Sequence, residues 1–287
     1  MKLARYRTAS GVNVALVEDD RLVDLGPSNG LAGELPALMH DREAVAKRRG
    51  SEVPIARHAI LAPIAAPRKF LAIGMNYAAH RREIIENSTN PELGRDRPVQ
   101  VWFNKQVSCV NDPFAPIVRP TVSTYLDYEG ELAFVIGRAA RHVRPQDALG
   151  HIAGYMICND VSVRDWQRAS PTMTMGKSFD THGPIGPWLV GADHIPDPQR
   201  LEVVTTVNGV ERQRFSTADM VASCAEMVAH LSTAFTLEPG DIIATGTGAG
   251  VGALSNPPSF LAAGDVVKVA IEEIGSIEAT VVDEVEP

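Results

Sequence analysis

Residues 126–136 read Leu-Asp-Tyr-Glu-Gly-Glu-Leu-Ala-Phe-Val-Ile and form the most informative stretch of the 287-residue sequence. In a β-strand, alternate side chains share a face. One face of this strand would be apolar, and the other would begin with Asp127, Glu129 and Glu131. Carboxylates two positions apart on a strand lie about 6–7 Å apart, close enough to share one cation. A solvent-facing strand end would give the same pattern and remains the alternative.

A further acidic ligand is expected where the apolar run 152–158 leads into Asn159 and Asp160. Asp165 competes with Asp160 for this role, and an aspartate at a strand end also serves as a turn or helix cap. Hard oxygen ligands without a Cys/His cluster favour Mg²⁺ or Mn²⁺, with Ca²⁺ as a further option, over Zn²⁺. The pattern therefore favours a hard divalent cation near the acidic strand.

A histidine and a glutamate follow in the stretch 74–83, which reads Gly-Met-Asn-Tyr-Ala-Ala-His-Arg-Arg-Glu. If the chain is helical from Ala78, His80 and Glu83 are i,i+3 neighbours on one face. A carboxylate beside an imidazole orients the ring and raises its basicity, which suits a general base. An exposed polar helix is the alternative. The polar segment 87–98 that follows is a candidate lid or an ordinary surface loop.

Two loops carry further candidate groups. Lys177 lies in a polar loop, where it could bind a substrate carboxylate, although an ordinary surface lysine has the same pattern. The glycine-rich stretch 246–252 fails the dinucleotide-binding spacing because Val251 occupies the third glycine position. We therefore expect no Rossmann site. Thr247 in this turn can offer its hydroxyl to an anionic ligand.

The remaining pattern is mostly β. Asn208-Gly209 between two apolar runs is typical of a type I′ hairpin. Ser216 and Asp219 suit a capping box before one clear helix over 220–235. Many strands, few helices, 23 Gly and 20 Pro predict a mixed β-sandwich or rolled sheet. Hairpins are expected over residues 12–25, 203–215 and 266–282.

A domain boundary is expected in the mid-60s. Pro63 and Pro67 interrupt regular secondary structure in this segment, and Arg68-Lys69 follows. The sequence therefore predicts a small N-terminal domain over 1–66 and a catalytic domain over 67–287.

The overall composition narrows the class of protein. Lys and Arg number 27 against 35 Asp and Glu, and the resulting charge of −8 argues against a general nucleic-acid binder. No apolar run approaches the roughly 20 residues that a membrane span needs, and no signal peptide is visible. Three widely spaced cysteines without a CxxC pair fit a reducing compartment. We expect a cytoplasmic protein with no membrane partner.

Five motifs together resemble the fumarylacetoacetate hydrolase family: GMNYAAHRRE, LDYEGELAFVIG, GYMICNDVSVRDWQ, GKSFDTHGPIGP and TGTGAGVG. They occur in the family's order across about residues 68–272. The resemblance implies an α+β mixed β-sandwich roll with a small N-terminal α+β domain, usually as a homodimer. It also implies one divalent cation per subunit, Mg²⁺ or Mn²⁺, held by Glu129, Glu131 and Asp160.

The resemblance implies roles for further residues. His80 and Glu83 match the dyad that activates water, and Lys177 matches the active-site lysine. Gly248-Ala249 stand where the family has a proline followed by a small residue, a departure that bears on substrate choice. Substrate contacts are implied for Gln167, Thr247, Arg164 and Lys105.

All the reactions that the resemblance implies pass through the enolate of a 2-oxo acid. The dyad favours C–C hydrolysis of a 2,4-diketo acid, an acylpyruvate or fumarylpyruvate, to pyruvate and a carboxylic acid in aromatic or sugar-acid catabolism. An oxaloacetate-type decarboxylase and a 2-hydroxydienoate isomerase are the alternatives. A non-catalytic keto-acid-binding protein and a thiol enzyme built on Cys158 come last.

Overall fold

β-Strands dominate the computed structural model, which describes residues 1–87 and 100–285. The strands are β1 (Lys2–Thr8), β2 (Gly11–Glu18), β3 (Arg21–Pro27), β4 (Glu52–Pro54), β5 (Ile60–Leu61), β6 (Phe70–Gly74), β7 (Val101–Lys105), β8 (Val110–Asn111), β9 (Ile117–Arg119), β10 (Leu126–Asp127), β11 (Gly130–Ile136), β12 (Ile152–Asn159), β13 (Ser162–Val163), β14 (Gly183–Gly191), β15 (Glu202–Val207), β16 (Val210–Ser216), β17 (Ile242–Ala244), β18 (Val266–Ile271) and β19 (Gly275–Asp283). The α-helices are α1 (Glu34–Met39), α2 (Arg42–Arg48), α3 (Ala78–Glu86), α4 (Pro145–Ala148), α5 (Arg164–Arg168) and α6 (Cys224–Ala234). The predicted α+β class is confirmed.

Two main sheets form the body of the protein. A 12-stranded sheet runs in the order β4-β3-β2-β1-β14-β12-β11-β17-β6-β7, with β5 paired to β1 and β8 to β14. A five-stranded sheet runs in the order β16-β15-β18-β19-β9. The short strands β10 and β13 pair with each other in a separate two-stranded sheet.

The central strand β11 is buried on both faces. Leu132, Phe134 and Ile136 pack into a core shared with the five-stranded sheet and α6. Ala133 and Val135 face a second core, which the N-terminal strands and α1 complete. Apolar side chains on both faces of a strand are typical of a sheet covered on both sides. This layering confirms the predicted mixed β-sandwich.

The N-terminal strands extend the larger sheet. β1 pairs antiparallel with β14, with Lys2 opposite Val190. This pairing joins residues on either side of the boundary expected at 66 and 67. The division into two domains remains a prediction.

The predicted hairpins are confirmed as β2–β3, β15–β16 and β18–β19. At the tip of the second hairpin, Asn208 and Gly209 have φ values of 54° and 76°. Two successive left-handed residues define the type I′ turn that the Asn-Gly pair predicts.

The start of the clear helix was predicted wrongly. α6 follows a capping box formed by Ser223 and Glu226, not by Ser216 and Asp219. Ser216 instead caps a short 3₁₀ turn. The Asp219 carboxylate accepts a hydrogen bond from the backbone N–H of Ala79, 2.8 Å away in the first turn of α3. Because this partner lies on another element, local spacing could not reveal it.

The single strand predicted over 126–136 is interrupted between β10 and β11. At the break, the N–H of Glu129 donates to Asn159 Oδ1 at 3.0 Å. The N–H of Gly130 donates to Gln213 Oε1, also at 3.0 Å. Side chains from other elements therefore satisfy the backbone where a strand partner would otherwise be needed.

Candidate active site

Three buried carboxylates meet at the acidic end of β11. Glu129, Glu131 and Asp160 offer oxygen atoms that all lie within 4.8 Å of one another. The pairing of β11 with β12 brings Asp160 into place, and its N–H donates to the carbonyl of Glu129 at 2.8 Å. Asp165 is exposed and accepts a hydrogen bond from Ser123 instead. The structure therefore assembles the three residues that the resemblance implied as metal ligands.

The carboxylates of this triad differ in how far neighbouring cations compensate their negative charge. Burial, together with the two neighbouring carboxylates, raises the pKa of Glu131 well above its usual value. Its Oε2 accepts a hydrogen bond from the backbone N–H of Gly246 at 2.8 Å. Burial also disfavours ionisation of Glu129, but Lys177 and Arg164 outweigh it and lower the pKa of Glu129 to about 2. Among the described residues, Glu131 has no ion-pair partner. A buried set of hard oxygen ligands with one such carboxylate fits a divalent cation.

Two buried lysines contact the triad. Lys177 Nζ donates to Glu129 Oε2 at 2.6 Å and to Asp160 Oδ2 at 2.8 Å. Lys105 Nζ donates to Asp160 Oδ1 at 2.6 Å and to the backbone carbonyl of Lys177. Lys105 therefore lies behind the triad as a counter-ion. Its contact with substrate remains a prediction.

Arg164 hydrogen-bonds both to the triad and to polar side chains beside it. Its Nε donates to Asp127 Oδ2 at 2.8 Å, and its Nη1 donates to Glu129 Oε1 at 2.5 Å and to Gln167 Oε1 at 3.0 Å. The buried Nη2 has no partner among the described residues. Asp127 also accepts from the N–H of Gly252 at 2.9 Å. Asp127, which shares the acidic face in the sequence pattern, thus holds Arg164 and the glycine turn and is not part of the triad.

The predicted histidine–glutamate pair forms on α3. His80 Nδ1 lies 2.9 Å from Glu83 Oε2. The N–H of Gly250 donates to Glu83 Oε1 at 3.2 Å, so this carboxylate is held from a second side. Within residues 1–87 and 100–285, His80 Nε2 has no hydrogen-bond partner. The free ring nitrogen is therefore the one available for proton transfer.

Residues that the sequence analysis missed hold α3 in place. Asn76 Nδ2 donates to the carbonyls of Ala222 and Thr245 at 3.1 and 2.9 Å, and its Oδ1 accepts from the N–H of Ala222 at 2.8 Å. Asp219 adds the hydrogen bond to Ala79 described above. Both depend on partners more than a hundred positions away, so no local pattern could indicate them.

Thr247 is held by another residue that the sequence analysis missed. Its hydroxyl donates to the carbonyl of Gly130 at 2.9 Å and accepts from Gln213 Nε2 at 2.8 Å. At the neighbouring Gly248, a Cβ would lie 2.3 Å from Phe215 Cγ. Phe215 therefore fills the space that a proline at this position would need.

A cavity of about 1090 Å³ is lined by most of the candidate residues, but not by Glu83, Asp160 or Lys105. Such a volume accommodates a small 2-oxo acid with room to spare. Asn87, the first residue of the candidate lid, lines the cavity, and residues 88–99 of that lid lie outside the described part of the chain. The predicted residues that line the cavity are His80, Glu129, Glu131, Arg164, Gln167, Lys177 and Thr247.

Cys158 does not have the properties of a nucleophile. The side chain is fully buried. Burial, with the neighbouring Glu131 and Asp160, raises the pKa of this thiol well above its usual value. Because the thiolate is the reactive form, a buried and protonated Cys158 fits a structural role.

Comparison with known proteins decides the family. The family model for the C-terminal domain of fumarylacetoacetate (FAA) hydrolase matches residues 69–282. This chain belongs to the fumarylacetoacetate hydrolase family. The resemblance seen in its motifs is thereby confirmed, and the fold is that of the family's solved structures.

Several relatives are similar over nearly their whole length. The mitochondrial oxaloacetate tautomerase fahd2 of Xenopus laevis is 36% identical over 299 residues, covering 98% of this chain and 90% of the relative. The fumarylacetoacetate hydrolase of the psychrophile Exiguobacterium antarcticum is 35% identical with a TM-score of 0.85, covering 99% of this chain and 100% of that one. The maleylpyruvate hydrolase of Sphingobium sp. SYK-6, solved with a manganese(II) ion and pyruvate, is 29% identical with a TM-score of 0.79 at the same coverage.

Enzymes of this family thus include hydrolases, an oxaloacetate tautomerase and an isomerase from Mycobacterium smegmatis. A related enzyme binds manganese, and this chain has an acidic triad suited to a divalent cation. None of the helices in the described residues is long and apolar enough to span a membrane. The Xenopus relative is mitochondrial by name, so the cytoplasmic location remains a prediction, as does the homodimer.

Proposed function

We propose that this protein interconverts the keto and enol forms of oxaloacetate by moving a proton at carbon 3, in a reaction that depends on a divalent cation. The observation that carries the proposal is the 2.9 Å contact between His80 Nδ1 and Glu83, because His80 lines the same cavity as Glu129 and Glu131 of the triad. The Xenopus tautomerase, aligned over 98% of this chain, supports oxaloacetate as the substrate.

Glu129, Glu131 and Asp160 would hold the cation, since their buried oxygens lie within 4.8 Å of one another and Glu131 forms no ion pair with any described residue. When bound, a divalent cation supplies a Lewis acid that polarises the 2-oxo group of the substrate. Lys177 adds a positive charge at the same carboxylates. Negative charge that develops on the substrate is then stabilised by groups already in position.

His80 moves the proton. Its Nδ1–H donates to Glu83, which leaves the Nε2 lone pair free to take a proton from carbon 3 of the keto form. The electron pair of the C–H bond becomes the carbon–carbon double bond, and the oxo oxygen takes a proton from solvent water to complete the enol. The imidazolium then releases its proton to the solvent. Glu83 stabilises the imidazolium that forms in between. The reverse direction returns the proton from Nε2 to carbon 3.

Hydrolysis of a 2,4-diketo acid is the second candidate, and the sequence analysis favoured it. The same histidine would take a proton from water instead of carbon, and the water would attack the 4-carbonyl. The similarity to maleylpyruvate hydrolase favours this reading. The two candidates therefore differ in the atom that His80 deprotonates.

A substrate panel distinguishes these reactions. Enol oxaloacetate, acetylpyruvate and fumarylpyruvate would each be assayed with Mg²⁺, Mn²⁺ or chelator, using the wild-type protein and His80→Gln. Rapid loss of enol absorbance without release of CO₂, abolished by chelator and by the substitution, supports the tautomerase. Formation of pyruvate and a carboxylic acid from a diketo acid, without acceleration of the oxaloacetate reaction, favours the hydrolase. Release of CO₂ from oxaloacetate that is insensitive to His80→Gln indicates a decarboxylase.

A further inference from the structure

Arg168 lies at the rim of the cavity. It is the last residue of α5, its side chain is exposed, and it lines the cavity. Within the described residues, Arg168 forms no hydrogen bond or ion pair with the protein. The other charged residues of the described lining are all hydrogen-bonded to protein groups: His80, Glu129, Glu131, Arg164 and Lys177.

Two features fix the position of Arg168 relative to the triad: its place on α5 and the packing of α5 against the turn that carries Lys177. Arg164 and Arg168 are i,i+4 neighbours on α5, so both lie on the same face, about 6 Å apart along the helix axis. A Cβ on Gly176 would lie 2.1 Å from the backbone nitrogen of Gln167. The turn that carries Lys177 therefore packs directly against this helix. From the triad outward, Arg164 comes first and Arg168 lies at the rim.

The charge of the site explains what a free arginine contributes here. The chain has a formal charge of −8, and carboxylates line the inner end of the cavity. Arg164, Lys177 and Arg168 also line the cavity, so the binding of a substrate with two carboxylates depends on which of these cations is free to pair with it. The inner cations Arg164 and Lys177 already form ion pairs with protein carboxylates. Arg168 retains its full capacity for a bidentate hydrogen bond to a carboxylate.

We propose that Arg168 binds the carboxylate at the far end of a dicarboxylic 2-oxo acid. The site then prefers 2-oxo dicarboxylates to 2-oxo monocarboxylates of equal length. Arg168 acts as a specificity residue, and the proton that His80 moves does not pass through it. The inference rests on the proposed function for the orientation of the substrate, with its 2-oxo acid end at the triad.

A pair of stable ligands tests the preference without turnover. 2-Oxoglutarate and 2-oxopentanoate have the same number of carbon atoms and differ at the far end, which is a carboxylate in one and a methyl group in the other. Mn²⁺-loaded protein would be titrated with each ligand by calorimetry. The matched variants are Arg168→Gln, Arg168→Lys and the control Arg7→Gln, because Arg7 is an exposed residue of β1 outside the cavity lining.

Wild-type protein and Arg7→Gln are expected to bind 2-oxoglutarate about tenfold more tightly than 2-oxopentanoate. Arg168→Gln is expected to remove this difference by weakening 2-oxoglutarate alone, and Arg168→Lys to retain part of it. A preference that survives Arg168→Gln, or equal binding of the two ligands by wild-type protein, overturns the inference. Binding of neither ligand overturns the inference, whereas the proposed function is tested separately by the assay with enol oxaloacetate. An inactive protein that keeps the Arg168-dependent preference overturns only the proposed reaction.

Discussion

The backbone N–H of Gly250 lies 3.2 Å from Glu83 Oε1, so the carboxylate that orients His80 is itself held by the glycine-rich turn. Gly250 has a φ of +99°, and a Cβ there would lie 2.2 Å from the carbonyl oxygen of Arg212. Only glycine fits this position without displacing the backbone. The contact joins the helix of the dyad to the turn that carries Thr247, so the orientation of His80 depends on both elements.

Loss of the dyad should affect turnover more than ligand binding. We expect His80→Gln to lower kcat roughly 10²–10⁴-fold, because it removes the proton-transfer group. Glu83→Gln should have a smaller effect in the same direction, because His80 loses a charged partner but not its ring. Enol-absorbance kinetics measure kcat, and 2-oxoglutarate titration should show little change in Kd. Glu86→Gln, an exposed residue of the same helix, is the control, and an effect of Glu83→Gln no larger than the control's would contradict this role.

Cation binding should release a proton. Burial and the neighbouring carboxylates raise the pKa of Glu131, so this group holds a proton more strongly in the cation-free protein. Because the proton and the cation compete for the same oxygens, the apparent affinity for Mn²⁺ should rise with pH. Calorimetric titration in two buffers of different ionisation enthalpy measures the release. Glu131→Gln should bind Mn²⁺ more weakly and release no proton at this position. Binding heats of the wild-type protein that do not depend on the buffer would refute the prediction.

His182 should make the fold sensitive to mild acid. Its Nε2–H donates to the carbonyl of Val118 at 2.8 Å, and its buried Nδ1 has no partner among the described residues. Burial lowers the pKa of His182 from 6.5 to about 4. Since the unfolded chain takes up this proton first, the stabilisation is present above pH 6.5 and is lost as the pH falls toward 4, by up to about 3 kcal/mol.

Urea unfolding between pH 7 and pH 4 measures this loss. His182→Gln keeps a donor that can reach the Val118 carbonyl but cannot titrate. Its free energy of unfolding should therefore fall less steeply than that of the wild-type protein over the same interval. If the free energies of unfolding of the two proteins fall in parallel with pH, groups other than His182 cause the acid sensitivity.

The close contact between α5 and the Lys177 turn gives a prediction about packing. A Cβ on Gly176 would lie 2.1 Å from the backbone nitrogen of Gln167, where no flexible side chain can yield. We expect Gly176→Ala to lower the free energy of unfolding by about 1–3 kcal/mol and to reduce kcat/KM by displacing Lys177. Gly150→Ala is the matched control, because no atom of the described residues lies within 4 Å of a Cβ there. Similar effects of the two substitutions would show that the contact is unimportant.

The parts of the site that follow from local periodicity were predictable from sequence. The two-residue spacing of a strand placed Glu129 and Glu131 near each other, although Glu129 lies at the break just before β11, and helical spacing placed His80 beside Glu83. Each of these relationships depends on a few neighbouring positions and on regular backbone geometry. The hairpin turns were predictable for the same reason, whereas β11 is buried along its whole length on both faces.

The supporting groups could not be predicted in this way, because their partners are distant in sequence. Asp127 shares the acidic face in the pattern, yet it pairs with Arg164, 37 positions away. Gln213 lies in a strand of charged residues and nevertheless joins Gly130 to Thr247. Asp219 resembles a local cap but serves a helix 140 positions away. In each case the polar side chain satisfies a buried group that only the folded chain brings near.

Proton transfer at carbon 3 of oxaloacetate is the central claim, and exchange with solvent deuterium tests it most directly. Proton NMR would follow the carbon 3 signal in D₂O with Mg²⁺ for the wild-type protein, for His80→Gln and for a protein-free blank. We predict exchange well above the blank with the wild-type protein and exchange at the blank rate with His80→Gln. Exchange by the wild-type protein at the rate of the Mg²⁺ blank would contradict the proposed function.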